Sequence, residues 1–235
     1  MTANEILIEL EKYGDKQTKS TLMKHGAREP FFGVKVADLK KILKKTKKNH
    51  ELSLELYKTG NSDAMYLACL MADEKKISEA QLNDWIDKAY WFYLNEFAVP
   101  WVAAETSFGF ELGLKWIQSD QERIAAAGWV VLSYYAGVNQ DEDLDIKTYS
   151  QLLDRVAKEI HSSPNRVRMT MNGFVIAIAT FIKELTDKSN AVASKIGKVA
   201  VDMNGTACKV PLATEYINNN IEKRQVGKKR KTARC

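Results

Sequence analysis

The chain has 235 residues, 45% hydrophobic and 28% charged, with a net charge of +5. That is enough apolar material for a sizeable core in one large domain or one continuous repeat array. The cysteines (Cys69, Cys208, Cys235) are odd in number with no C-x-x-C pair, and the histidines are scattered, which argues against a disulfide framework or a metal site.

The opening segment MTANEILIELEKYG carries acids and no apolar centre, so it does not read as a signal peptide. No apolar run reaches the roughly 18 residues a membrane span needs. No GxGxxG segment, phosphate loop or Ser/His/Asp arrangement is apparent. The expectation is a reduced, cytoplasmic monomer without cofactor, metal or membrane contact.

Helical spacing dominates from the start. Ile6, Leu7 and Leu10 share one face of an opening helix that ends near Gly14, and Thr18 to His25 forms a second that stops at Gly26. Ala27 to Gly33 (AREPFFG) reads as a connector. Val36, Leu39, Ile42 and Leu43 mark a third helix. Further helices are predicted over Glu51 to Lys58, Ser62 to Ala72, Glu79 to Phe92, Val99 to Glu105 and Phe108 to Ile117. The series continues with Gln121 to Tyr135, Asp145 to His161, Arg166 to Leu185, Asn190 to Asp202 and Pro211 to Lys223. Ser119 and Asp120 are placed to cap a helix start, and Asn204-Gly205 to stop a helix.

No alternation of period two is present. The fold class is therefore all-α. Short helices joined by short loops pack as antiparallel pairs, the pattern of a HEAT-like α-solenoid. A compact irregular bundle is the alternative. No linker interrupts residues 1–225. From Val226 the sequence VGKKRKTARC loses apolar periodicity and reads as a basic tail, residues 226–235, that leaves the fold.

The positive charge is clustered. Lys35 to Lys48 holds seven lysines against one aspartate, including Lys35, Lys40, Lys41, Lys44 and Lys45. The tail adds Lys228, Lys229, Arg230, Lys231 and Arg234, and Arg166 and Arg168 flank a Pro-Asn turn. Such clusters are either solvated faces or phosphate contacts. On a solenoid they would line a concave surface wide enough for double-stranded DNA.

Two stretches carry a resemblance. FFGVKVADLKKILKK (Phe31 to Lys45) is similar to the aromatic-Gly-Val segment of AlkD-type HEAT-like-repeat alkylpurine DNA glycosylases, and DAMYLACLMADEKK (Asp63 to Lys76) looks like the helix and loop that follow it. The resemblance implies a DNA alkylation repair protein. It would excise N3- or N7-alkylated purines from duplex DNA, on a basic concave face, without cofactor.

The family's W-D-x-x-D pattern falls on VPWVAAET. Trp101 takes the tryptophan position, and Glu105 stands where the family has its second aspartate. A later family tryptophan matches Phe174, and a family arginine matches Ala126, with Arg123 one turn earlier. Trp91 and Tyr93 precede the Trp101 helix and are expected to border the same cleft. Alkylation already makes the purine a good leaving group, so one carboxylate near the anomeric carbon can stabilise the sugar cation and activate water. At i, i+4, Trp101 and Glu105 lie on one helix face. The same spacing equally suits a packing indole and a capping or ion-paired acid. Three functions follow as expectations: a glycosylase, a DNA-structure-binding protein that has lost the chemistry, or a protein-binding scaffold.

Overall fold

The computed structural model describes residues 1–235. Thirteen α-helices follow one another: α1 (Ala3–Lys12), α2 (Lys16–Lys24), α3 (Val36–Thr46), α4 (His50–Lys58), α5 (Ser62–Met71), α6 (Glu79–Lys88), α7 (Val99–Ala104), α8 (Gly109–Trp116), α9 (Glu122–Val138), α10 (Ile146–Glu159), α11 (Asn165–Phe181), α12 (Thr186–Ile196) and α13 (Ala213–Glu222). There is no strand, and one isolated bridge joins Gly14 to Val34. The helices match the predicted ones in number and order.

The chain divides into two compact units, Met1–Val102 with Arg234, and Ala103–Ala233 with Cys235. The division falls inside α7, whose residues are all buried, so no linker marks it in the sequence.

In the first unit α5 is buried along its whole length. It is apolar on all sides, as a central helix must be. Its one acid, Asp63, is 5% exposed, and its carboxylate accepts the backbone N–H groups of Phe32 (2.6 Å), Gly33 (3.0 Å) and Val34 (3.0 Å). Burial pushes the Asp63 carboxyl above its usual range, against the pull of these three donors. Gly33 sits at φ +79°, and a Cβ there would lie 2.6 Å from the Lys19 backbone nitrogen. The FFGV stretch is thus fixed by its backbone: only glycine fits beside α2, and only an acceptor can satisfy the turn.

Between α6 and α7 the helix opens into a π-turn, Leu94–Ala98, in which the Val99 N–H reaches back five residues to the Leu94 carbonyl. Pro100 follows at once. A proline lacks an N–H and crowds the carbonyl four residues before it, and a widened turn accommodates both defects.

The second unit packs α9 against α8 and α11, and α11 against α12 and α13. Trp129, Tyr149 and Phe174 are each 0% exposed at its centre. Several helix boundaries differ from expectation: α6 ends at Lys88 rather than Phe92, α11 ends at Phe181 rather than Leu185, and α12 starts at Thr186 rather than Asn190. α12 ends at Ile196 because Gly197, at φ +55°, terminates it, and Asn204-Gly205 instead forms a turn with φ of +52° and +70°. Ser119 and Asp120 do not cap α9: its N-cap is Gln121, which has no side-chain cap bond and donates its N–H to Ser119 Oγ (3.2 Å).

The final ten residues lie against the fold, contrary to the expected free tail. In the second unit Gly227 donates its N–H to the Thr180 carbonyl at the end of α11. At the end of α9, Arg230 donates its N–H to Gly137 (2.7 Å) and Lys229 Nζ donates to Ala136 O (2.9 Å). In the first unit Arg234 donates to Leu70 O (3.3 Å) and Ala72 O (2.8 Å) at the end of α5, and pairs with Glu74 (3.1 Å). The last carbonyls of a helix lack intrahelical partners and carry the negative end of its dipole. A basic segment satisfies both needs, and it requires no apolar periodicity to do so.

Candidate nucleic-acid interface

The lysine helix is α3. Of its cations, Lys41 pairs with Asp38 (2.7 Å), and the hydrogen bond to that carboxylate raises its pKa. Lys45 pairs with Glu9 of α1, and this bond likewise raises its pKa. Lys40 and Lys44 make no ion pair, and Lys35 is exposed at the helix start. Arg166 and Arg168 open α11. The Arg166 backbone N–H donates to Glu122, and Arg168 Nη2 approaches Asn165 Oδ1 at 3.4 Å. In the final segment Lys228 and Lys231 are exposed, whereas Lys229 pairs with Asp141 (2.7 Å) and Arg230 lies over the rings of Tyr134 (5.9 Å) and Phe181 (5.3 Å). Of the cations proposed from sequence, Lys41, Lys45 and Lys229 are thus each paired with a carboxylate of the chain.

The aromatic residues separate into two groups, one in each unit. In the first, Trp101 is 4% exposed and meets Tyr66 edge-on at 5.5 Å. Trp91 is 6% exposed, donates its indole N–H to Ser62 Oγ (2.9 Å) and stacks on Tyr93 at 5.0 Å. Phe97, 5.7 Å from Tyr93 and 6.2 Å from Trp101, is 36% exposed. Sequence reasoning passed over Phe97. Its signal was available, four residues before Trp101 on the same helical face.

In the second unit Phe174 lies between Trp129 (5.0 Å) and Tyr149 (6.1 Å), fully buried. A residue with no exposed surface cannot line a cleft, so the expectation for Phe174 is corrected to core packing.

Glu105 follows the last residue of α7 and belongs to the second unit. Its carboxylate accepts the hydroxyl hydrogen of Thr232 and the backbone N–H of Ala233 (2.7 Å), with Ala233 itself 3% exposed. The acid thus anchors the C-terminal segment. Ala126 and Phe174, matched to a family arginine and tryptophan, are each 0% exposed. No group of His, Cys, Asp or Glu is arranged to hold a metal.

The arrangement defines an all-helical HEAT-like repeat protein. A solved protein of a family related to the HEAT-like repeat DNA glycosylases, with affinity for branched DNA structures, superposes with a TM-score of 0.93 at 35% identity, over 100% of both chains. The family model for DNA alkylation repair enzymes matches residues 6–191, and the chain belongs to that family. Uncharacterized proteins of Listeria innocua and Listeria monocytogenes are each 30% identical over 223 residues, 92% of this chain and 96% of theirs. No helix is long and apolar enough to cross a membrane.

Proposed function

We propose that the protein binds DNA by its structure, preferring branched forms to linear duplex, and does not cleave the glycosidic bond. One observation carries this reading: the only acid placed for catalysis, Glu105, spends its carboxylate on Thr232 and Ala233. Excision requires that carboxylate to face the anomeric carbon and hold water. Both bonds fall on Oε1, which holds the carboxylate against the C-terminal segment and supports an anchoring role over a catalytic one. The burial of Trp101 and Phe174 removes the aromatic faces that would attract a charged base. The affinity of the 35% identical relative for branched DNA supports the same reading.

Phosphate contacts are assigned to Lys35, Lys40 and Lys44 in the first unit and to Lys228 and Lys231 in the second. Excision of N3- or N7-alkylated purines is the second reading, favoured by membership of the repair family and by the Trp101–Glu105 spacing.

The test is competition between a four-way junction and a linear duplex of the same composition at fixed salt. Junction binding at least about tenfold tighter, falling steeply with salt, is the expected result. Equal affinity for the two, or no binding at about 50 mM salt, rejects the reading.

A further inference from the structure

Helix α2 is unlike every other long helix of the first unit: none of its nine residues is buried. It carries Lys16, Lys19 and Lys24 and no acid between its Asp15 cap and its end. Its cap residue His25 meets Phe92 edge-on at 6.0 Å. Arg28 lies over the Tyr90 ring at 4.4 Å, and the Tyr90 hydroxyl donates to the Arg28 carbonyl (2.9 Å). The chain from His25 to Arg28 therefore runs along Tyr90, Trp91 and Phe92.

Those three rings form one ledge, with Phe92 and Phe97 6.1 Å apart and Tyr93 between them in contact with both. Trp91 and Trp101 are buried and pack against the ledge, Trp91 on Phe92 and Tyr93 and Trp101 on Phe97. Phe97 lies in the π-turn and Phe92 and Tyr93 just before it, and the turn's one acid, Glu96, is 5% exposed. Glu29, next to Arg28 in the chain, is paired with Lys19 (2.6 Å).

An aromatic face with cations close by in the chain suits a polyanion that presents flat rings. Bases in a duplex are stacked on each other and hidden; bases left unpaired at a branch point are not.

We propose that the Phe92–Tyr93–Phe97 ledge stacks an unpaired nucleobase of the branched DNA, with Lys24 and Arg28 meeting the adjoining phosphates. This rests on the DNA-structure reading above and names the part of the DNA that is read. Phe97 is the stacking residue, because it alone of the three is exposed.

The test uses a three-way junction with a 2-aminopurine at an unpaired position of the branch, since stacking quenches that base. Wild type quenches the probe, Phe97→Tyr retains the quenching, and Phe97→Ala loses it together with about tenfold in affinity for this junction. Affinity for a fully paired four-way junction stays within twofold in all three. Exposed Lys24→Gln serves as a second probe that leaves the fold intact, and it flattens the salt dependence by about 0.7 in slope. Quenching by Phe97→Ala equal to wild type, with junction preference intact, overturns the ledge alone. Loss of junction preference in wild type overturns the underlying reading, whatever Phe97 does.

Discussion

Thr232 donates its side-chain hydrogen bond to Glu105, 127 residues earlier in the chain. The bond sets the role of both residues. The carboxylate is an acceptor for the chain's own C-terminal segment, and Thr232 and Ala233 are structural parts of the second unit.

Removing that acceptor has a mainly structural consequence. Glu105→Ala leaves the Ala233 N–H, which is buried, without its partner, and such a loss costs about 1–3 kcal/mol. Thr232→Val removes one donor only and costs about 1 kcal/mol. Urea unfolding should show both losses in this order, with junction affinity within twofold of wild type for each.

The ion pairs within α3 divide its lysines into two sets. Lys40→Gln and Lys44→Gln together should lower DNA affinity and reduce the slope of log affinity against log salt by about 1.8. Lys41→Gln and Lys45→Gln, whose cations are already partnered by Asp38 and Glu9, should change that slope less. Fluorescence anisotropy over a salt series distinguishes the sets.

Asp63→Asn tests the FFGV turn. An amide offers one acceptor oxygen where the carboxylate offers two, and three N–H groups point at it. At least one buried donor is left unsatisfied, at a cost of about 1–3 kcal/mol in unfolding experiments.

Glu74 gives a pH signature. Burial raises its pKa, but hydrogen bonding to Lys48 and the charges of Arg234 and Lys48 outweigh this and hold it below the usual glutamate range. A folded-state pKa below the unfolded one contributes stability above the unfolded value, and that contribution is lost as pH falls through the folded value. The stability difference between wild type and Glu74→Gln should therefore be present at neutral pH and shrink as pH drops below the ordinary glutamate range. A difference that stays constant across that window rejects the assignment.

The helices were legible because a 3.6-residue apolar repeat reports burial of one face. α3 and α10 follow it closely. The repeat does not say how deep a face is buried, and that is why Phe174 read as cleft lining although Trp129 and Tyr149 enclose it. Trp101 and Glu105 were visible as a spaced pair, yet the partners of Glu105 lie at the far end of the chain, where no local pattern points to them. The basic tail misled for a related reason. Its contacts are to helix-end carbonyls, which every sequence possesses and none displays. Phe97 stands four residues before Trp101, but that spacing does not tell an exposed ring from a buried one. It is its exposure that distinguishes it.

Release of free base from 7-methylguanine-containing duplex, with protein in excess over DNA, bears most directly on whether Glu105 is an anchor or a reactive acid. Wild type and Glu105→Gln should both match the spontaneous rate measured without protein. Base release by wild type well above that rate, abolished in Glu105→Gln, would contradict the anchoring role and restore the carboxylate to chemistry.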